Sequence, residues 1–115
     1  MLYDIARWKV SKANAKKHLE MIRRVIEWEK QNRRLLYFTR ATYFLLKTED
    51  LSVETWMNID EYEDQESFDK FWKTFKKSNP EYAGGFELKD KWVSLFVPNS
   101  LTHEVFIEKP ELRIA

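Results

Sequence analysis

The sequence predicts one α+β domain spanning residues 1–115, with elements in the order βαββαβ and an extra helix before the last strand. Three observations lead there. Two segments carry apolar residues at helical spacing, and four others alternate or cluster β-branched and aromatic residues as strands do. Only 2 glycines and 3 prolines interrupt the 115 residues, which leaves little room for linkers and suits a single core. Each strand also carries large apolar side chains on both faces, more than one layer of helices covers.

Residues 2–10 alternate with period two. Ala6, Trp8 and Val10 point one way, and Tyr3, Ile5, Arg7 and Lys9 the other. Ser11 is placed to cap a helix over 12–31. Its core stripe is Ala15, Leu19, Ile22 and Ile26, with His18 and Val25 on the flank. Met21 and Trp28 lie nearly opposite, so this helix has a second apolar surface.

Residues 34–47 read as a long strand because of their aromatic and β-branched content. Leu35, Tyr37, Ala41, Tyr43 and Leu45 share one face; Leu36, Phe38, Phe44 and Leu46 share the other. The polar turn Thr48-Glu49-Asp50 leads into a strand over 52–62. There Val53, Met57 and Ile59 face one side, and Trp56 and Tyr62 the other. Asp64 caps a helix over 65–78 with a wholly aromatic stripe of Phe68, Phe71, Trp72 and Phe75, and Asn79-Pro80 stops it. In 81–97, Leu88, Trp92, Leu95 and Phe96 fit a helical face. A hairpin is the competing reading, and helix is preferred. Gly84-Gly85 reads as a turn. Residues 101–108 form the last strand, and the tail from Lys109 is polar.

Composition narrows the function classes. At 43% hydrophobic and 16% aromatic residues the chain has the apolar mass to fold. It has no cysteine, which excludes disulfides, thiolate nucleophiles and zinc–cysteine or iron–sulfur sites. No apolar run approaches the roughly 20 residues that span a bilayer, and the first residues lack a signal-like apolar segment. The expectation is a cytoplasmic protein with no membrane partner. A net charge of +1 gives no pull toward nucleic acid. Residues 1–47 hold 12 Lys/Arg against 4 Asp/Glu, whereas residues 48–69 hold 9 Asp/Glu and no basic residue. That acidic segment is a solvated hairpin and helix start, or the counterpart of a basic helix on a second subunit.

A two-faced sheet needs a partner. Helices serve one face, and the other exposes some of Tyr3, Ile5, Leu36, Phe38, Phe44, Val105 and Ile107 or their counterparts. Burial is worth roughly 25 cal/mol per Å² of apolar area, and a patch of several hundred Å² is more than soluble monomers commonly carry. The long second strand also leaves an unpaired edge. A homodimer packed sheet on sheet answers the first problem and can protect the second.

The order βαββαβ, the long second strand and the stretch WMNIDEYEDQESFDKFWKTF resemble the dimeric α+β barrel superfamily, in particular its antibiotic-biosynthesis-monooxygenase-like and NIPSNAP-like members. The resemblance covers about residues 2–109. It implies a ferredoxin-like fold, a sheet-to-sheet dimer and a small-ligand cleft between sheet and helices. Members include cofactor-free monooxygenases, haem-degrading enzymes and isomerases, so the fold does not choose a function. The haem-degrading members use an asparagine, a tryptophan and a histidine after the third strand. Here Trp56 and Asn58 lie on that strand, but residues 63–80 hold no histidine. No cofactor is expected.

Six residues are candidates for the cleft: His18, Arg40, Tyr43, Trp56, Asn58 and His103. The two histidines are general-base or ligand-contact candidates, or structural histidines. Arg40 is the only charge inside the long strand. It either holds an anion from inside or protects an edge from outside, with Asp60 and Glu61 as candidate partners across the hairpin. Tyr43 and Trp56, with Tyr37 and Trp8, line a cleft for a flat apolar ligand or fill the core. No metal site is expected.

Three functions follow. The first is a protein that binds or oxidises a small aromatic ligand. The second is a non-enzymatic dimeric module that docks a partner protein through exposed Met21 and Trp28. The third is RNA binding, which shares the βαββαβ topology; the acidic third strand argues against it.

Overall fold

The computed structural model describes residues 1–114. Its elements are β1 (Leu2–Ser11), α1 (Ala15–Gln31), β2 (Phe38–Leu45), β3 (Val53–Tyr62), α2 (Gln65–Thr74), α3 (Ala83–Val93) and β4 (Thr102–Ile107). The strands form one antiparallel sheet in the order β2-β3-β1-β4. The predicted α+β order therefore stands, and the preferred reading of 81–97 is correct: α3 is the extra helix before the last strand. No helix is long and apolar enough to cross a membrane among the described residues.

Strand parity sorts the two faces. Leu2, Asp4, Ala6, Trp8 and Val10 are buried beneath the helices, while Tyr3 and Ile5 are half-buried and Arg7 and Lys9 exposed on the other face. Two apolar clusters fill the helix side. One surrounds Trp8 with Val10, Ile22, Val25, Trp92 and Phe96; the other surrounds Tyr62 with Leu2, Leu36, Phe38 and Phe71. Asp64 caps α2 as predicted: its side chain accepts from the Ser67 backbone N–H at 2.8 Å.

Several local expectations are corrected. Residues Lys12–Asn14 form a 3-10 turn, and Ser11 makes no side-chain cap bond, so α1 starts three residues late. The buried stripe of α1 is His18, Ile22, Val25 and Glu29, not Ala15, Leu19, Ile22 and Ile26. The reason is that two polar side chains, His18 and Glu29, find partners inside. β2 begins at Phe38, after a 3-10 turn over Arg33–Leu35. A β-bulge between Phe38 and Arg40 inserts one residue and reverses parity. Phe38 therefore sits opposite Tyr62, on the helix side with Ala41 and Tyr43, and both Leu36 and Phe38 are core residues. Val105 and Ile107 pair with Asp4 and Leu2, so they too belong to the helix side. They stay exposed on the β4 edge.

The second surface of α1 is met within the chain. Met21 and Trp28 are half-buried and pack with the core clusters, and α3 lies against this side. Gly84-Gly85 belongs to α3 and not to a turn. A Cβ on Gly85 would stand 2.6 Å from three carbons of the Trp28 ring, whereas one on Gly84 would stand an ordinary 3.6 Å from Trp28 Nε1. Gly85→Ala is therefore expected to destabilise the fold by about 1–3 kcal/mol, exceeding the ~1 kcal/mol that alanine gains in helix propensity. Gly84→Ala is expected to be neutral or stabilising. Urea denaturation of the two variants checks the pair; equal stabilities would contradict the packing.

The face away from the helices is apolar. Ile5 pairs with Ile59, Phe44 with Met57, and Tyr3 with Phe106. Phe44 and Phe106 are 43% and 47% exposed. Arg7–Glu104 at 2.6 Å and Arg40–Glu61 at 3.7 Å lie on the same face.

Candidate functional site between sheet and helices

The sequence makes room at the centre of the helix side. Ala6 on β1 is flanked by Asn58 on β3 and His103 on β4. This small side chain sits one pair from Asp4 and one pair from Trp8, and α2 and α3 arch over it. The result is a cavity of about 160 Å³, close to the ~150 Å³ that accommodates one benzene ring. Six rings wall it: Trp8, Phe71, Trp72, Phe75, Trp92 and Phe96. Its polar groups are Asp4, Asn58, Asp60, Lys89 and His103.

Register and burial set the electrostatics. Asp4 and Asp60 stand directly opposite each other on β1 and β3. Like charges so placed repel, and burial penalises ionisation further. Burial, aided by the charges of Glu29 and Asp4, pushes the Asp60 carboxyl up to about 7, against the opposing pull of Lys89 and a hydrogen bond with Asn58. His103 Nδ1 lies 3.2 Å from Asp4 Oδ1, and this hydrogen bond raises the imidazole above its ordinary value. Behind the cavity, Lys89 Nζ is 4.0 Å from Glu29 Oε2, and Tyr43 donates to Glu29 Oε1 at 3.4 Å. Burial raises both Glu29 and Tyr43.

One more group is unsettled. Trp92 is only 8% exposed, and its indole N–H meets no acceptor among the described residues. It stands in the cavity wall, edge-on to Trp8 at 5.0 Å between ring centroids.

The structure gathers some of the six candidates and scatters others. Asn58 and His103 line the cavity. His18 is 0% exposed and packs among Trp8, Trp56, Trp92 and Phe96. Its Nε2 accepts from Trp8 Nε1 at 2.9 Å, which leaves the proton on Nδ1, without a partner among the described residues. Burial lowers this imidazole to about 4, so it is neutral. Trp56 lies tilted against that histidine, 5.1 Å between ring centroids. Tyr43 opens on a separate cavity with Glu29 and Arg33. Arg40 lies on the opposite face and pairs with Glu61, because the bulge at β2 turns it outward.

Asp4, Glu29, Lys89 and Trp92 were missed as site residues, and Asp60 was named only as a partner for Arg40. A signal existed. Asp4 shares parity with Leu2, Ala6 and Trp8, and Asp60 with Trp56 and Tyr62. A carboxylate on an otherwise apolar strand face is an informative exception.

No protein-family model and no curated protein matches the chain. Solved structures do. An uncharacterized NIPSNAP domain protein from Burkholderia xenovorans superposes with a TM-score of 0.65 at 9% identity, covering 99% of this chain and 100% of that one. SnoaB, a cofactor-independent oxygenase from Streptomyces nogalater, gives 0.57 at 18% identity, covering 96% and 95%. A dimeric ferredoxin-like protein from an uncultured marine organism gives 0.58 at 12% identity, covering 94% and 89%. An antibiotic biosynthesis monooxygenase superposes as well. At these identities the likeness carries the fold. The chain has a ferredoxin-like α+β fold, shared with antibiotic biosynthesis monooxygenase and NIPSNAP domain structures.

Proposed function

We propose that this protein is a homodimer that binds one small aromatic ligand per subunit in the sheet–helix cavity and exchanges a proton with it through Asp60. The observation that carries this reading is the cavity of about 160 Å³ between sheet and helices, walled by six aromatic side chains and holding the Asp60 carboxyl among its polar groups. The surrounding rings suit a flat apolar body, and Asp60, near neutrality in its proton affinity, suits acid–base work. Asn58 and His103 line the same space. The shared fold with a cofactor-independent oxygenase supports a further step: a ligand C–H gives its proton to the Asp60 carboxylate, the carbanion adds to dioxygen, and Asp60 returns the proton to leave a hydroperoxide. The apolar open sheet face supports the homodimer. The protein-docking alternative rested on exposed Met21 and Trp28, which the fold half-buries.

Thermal unfolding with single-ring compounds such as benzyl alcohol tests the cavity. Bound compound is expected to raise Tm by mass action. Ala6→Leu, which fills the cavity while the circular dichroism stays native, is expected to abolish the rise. No stabilisation by any compound, or an equal response in Ala6→Leu, would contradict the reading.

A further inference from the structure

We propose that the cavity selects a small organic cation, a protonated amine carrying one ring. This rests on reading the cavity as a ligand site, and it adds the charge of the ligand.

The charge count decides the sign. Asp60 is faced from every element around it: Asp4 from β1, Glu29 from α1, Tyr43 from β2, Tyr62 from its own strand, Lys89 from α3 and His103 from β4. The share of the wall that α2 gives is aromatic. With the His103 imidazole protonated, three carboxylates thus meet two cations; without that proton the negative surplus only grows. The cations are already engaged: Lys89 with Glu29 at 4.0 Å and His103 with Asp4 at 3.2 Å. Asp60 is left over. An anionic ligand would raise the surplus from one negative charge to two, whereas a monocation cancels it.

The walls point the same way. The face of an aromatic ring attracts a cation within about 6 Å of its centroid, by ~0.5–2 kcal/mol. The chain already makes this contact. Lys89 Nζ lies 4.9 Å from the Phe75 ring and 5.5 Å from the Phe71 ring. A second ammonium beside Asp60 would have Trp8, Trp72 and Trp92 among its walls. The nearby Lys89 repels it, but Glu29 offsets that charge.

Binding is then linked to the proton on Asp60. Below pH 7 the carboxyl is protonated and the cation must displace that proton; above it, the carboxylate is ready. Calorimetry on the intact protein with benzylamine, benzyl alcohol and benzoate at pH 6 and pH 8 tests this. Benzylamine is expected to bind tightest, about tenfold tighter at pH 8 than at pH 6, with close to one proton released at pH 6. Asp60→Asn is expected to lose that pH dependence. Benzyl alcohol or benzoate binding as tightly as benzylamine, or benzylamine binding equally at both pH values, would overturn the cation while leaving the cavity as a ligand site. Failure of all three compounds to bind would overturn the cavity reading itself.

Discussion

Asp60→Asn is expected to make the protein more stable than the wild type above pH 7 and to expose a steep loss of stability in acid. In the unfolded chain the carboxyl titrates near its ordinary value of 3.8; in the fold it does so at about 7. Between these values the folded state holds a proton that the unfolded state has released. Stability therefore falls as pH rises through this window, by as much as roughly 4 kcal/mol. Asparagine keeps the shape and removes the ionisation. His18 has the opposite sign. Its folded value of about 4 lies below the ordinary 6.5, so the unfolded state takes up a proton that the fold refuses. That contribution is present above pH 6.5 and is lost as pH falls toward 4, worth about 3 kcal/mol. In the wild type the two slopes offset each other between about pH 4 and 6.5. Glu29, also raised, acts in the same sense as Asp60. Asp60→Asn leaves the His18 slope less opposed. Urea denaturation at pH 4, 6 and 8 reads both effects. A variant less stable than the wild type at pH 8 would mean that Asp60 is ionised and well paired in the fold.

The second large effect belongs to the open face. Ile59→Arg is expected to weaken the proposed homodimer at least ~100-fold, about 3 kcal/mol, with the subunit fold intact. Ile59 lies between Ile5 and Thr42 in the pairing of the central strands. In a two-fold sheet-to-sheet dimer the substitution adds the same charge to both subunits, so repulsion is added to the loss of apolar burial. Sedimentation equilibrium of both proteins at micromolar concentration measures it. A wild type that sediments as a monomer, or a variant that remains a full dimer, would contradict a dimer built on this face.

The elements were legible because their patterns are local. Alternation in residues 2–10, the aromatic stripe of α2 and the Asp64 cap each state their structure within about ten residues. The parts that were not legible involve register and partners. The bulge at Thr39 carries no glycine to mark it, so Phe38 was assigned to the wrong face. The α1 stripe, read from apolar residues, puts His18 on its flank instead of at its centre and omits Glu29; the burial of both depends on Trp8, Lys89 and Tyr43 from other elements. The site shows the same division. Asn58 and His103 could be named from residue type and strand position. Opposing Asp4 to Asp60 required the β1–β3 register, and Lys89 required the path of α3 over the sheet. Arg40 was ambiguous in sequence because the bulge decides which way it points.

The Trp92 indole tests the proposed ligand cavity most directly. The chain has five tryptophans, and their Nε1–H signals are resolvable in ¹⁵N correlation spectra. Titration with a single-ring compound is predicted to shift the Trp92 signal with saturation, as its indole gains a ring neighbour in the cavity, while Trp28, packed on Gly85, stays in place. A Trp92 signal that does not move, or five signals that drift together without saturating, would contradict a ligand site between the sheet and the helices.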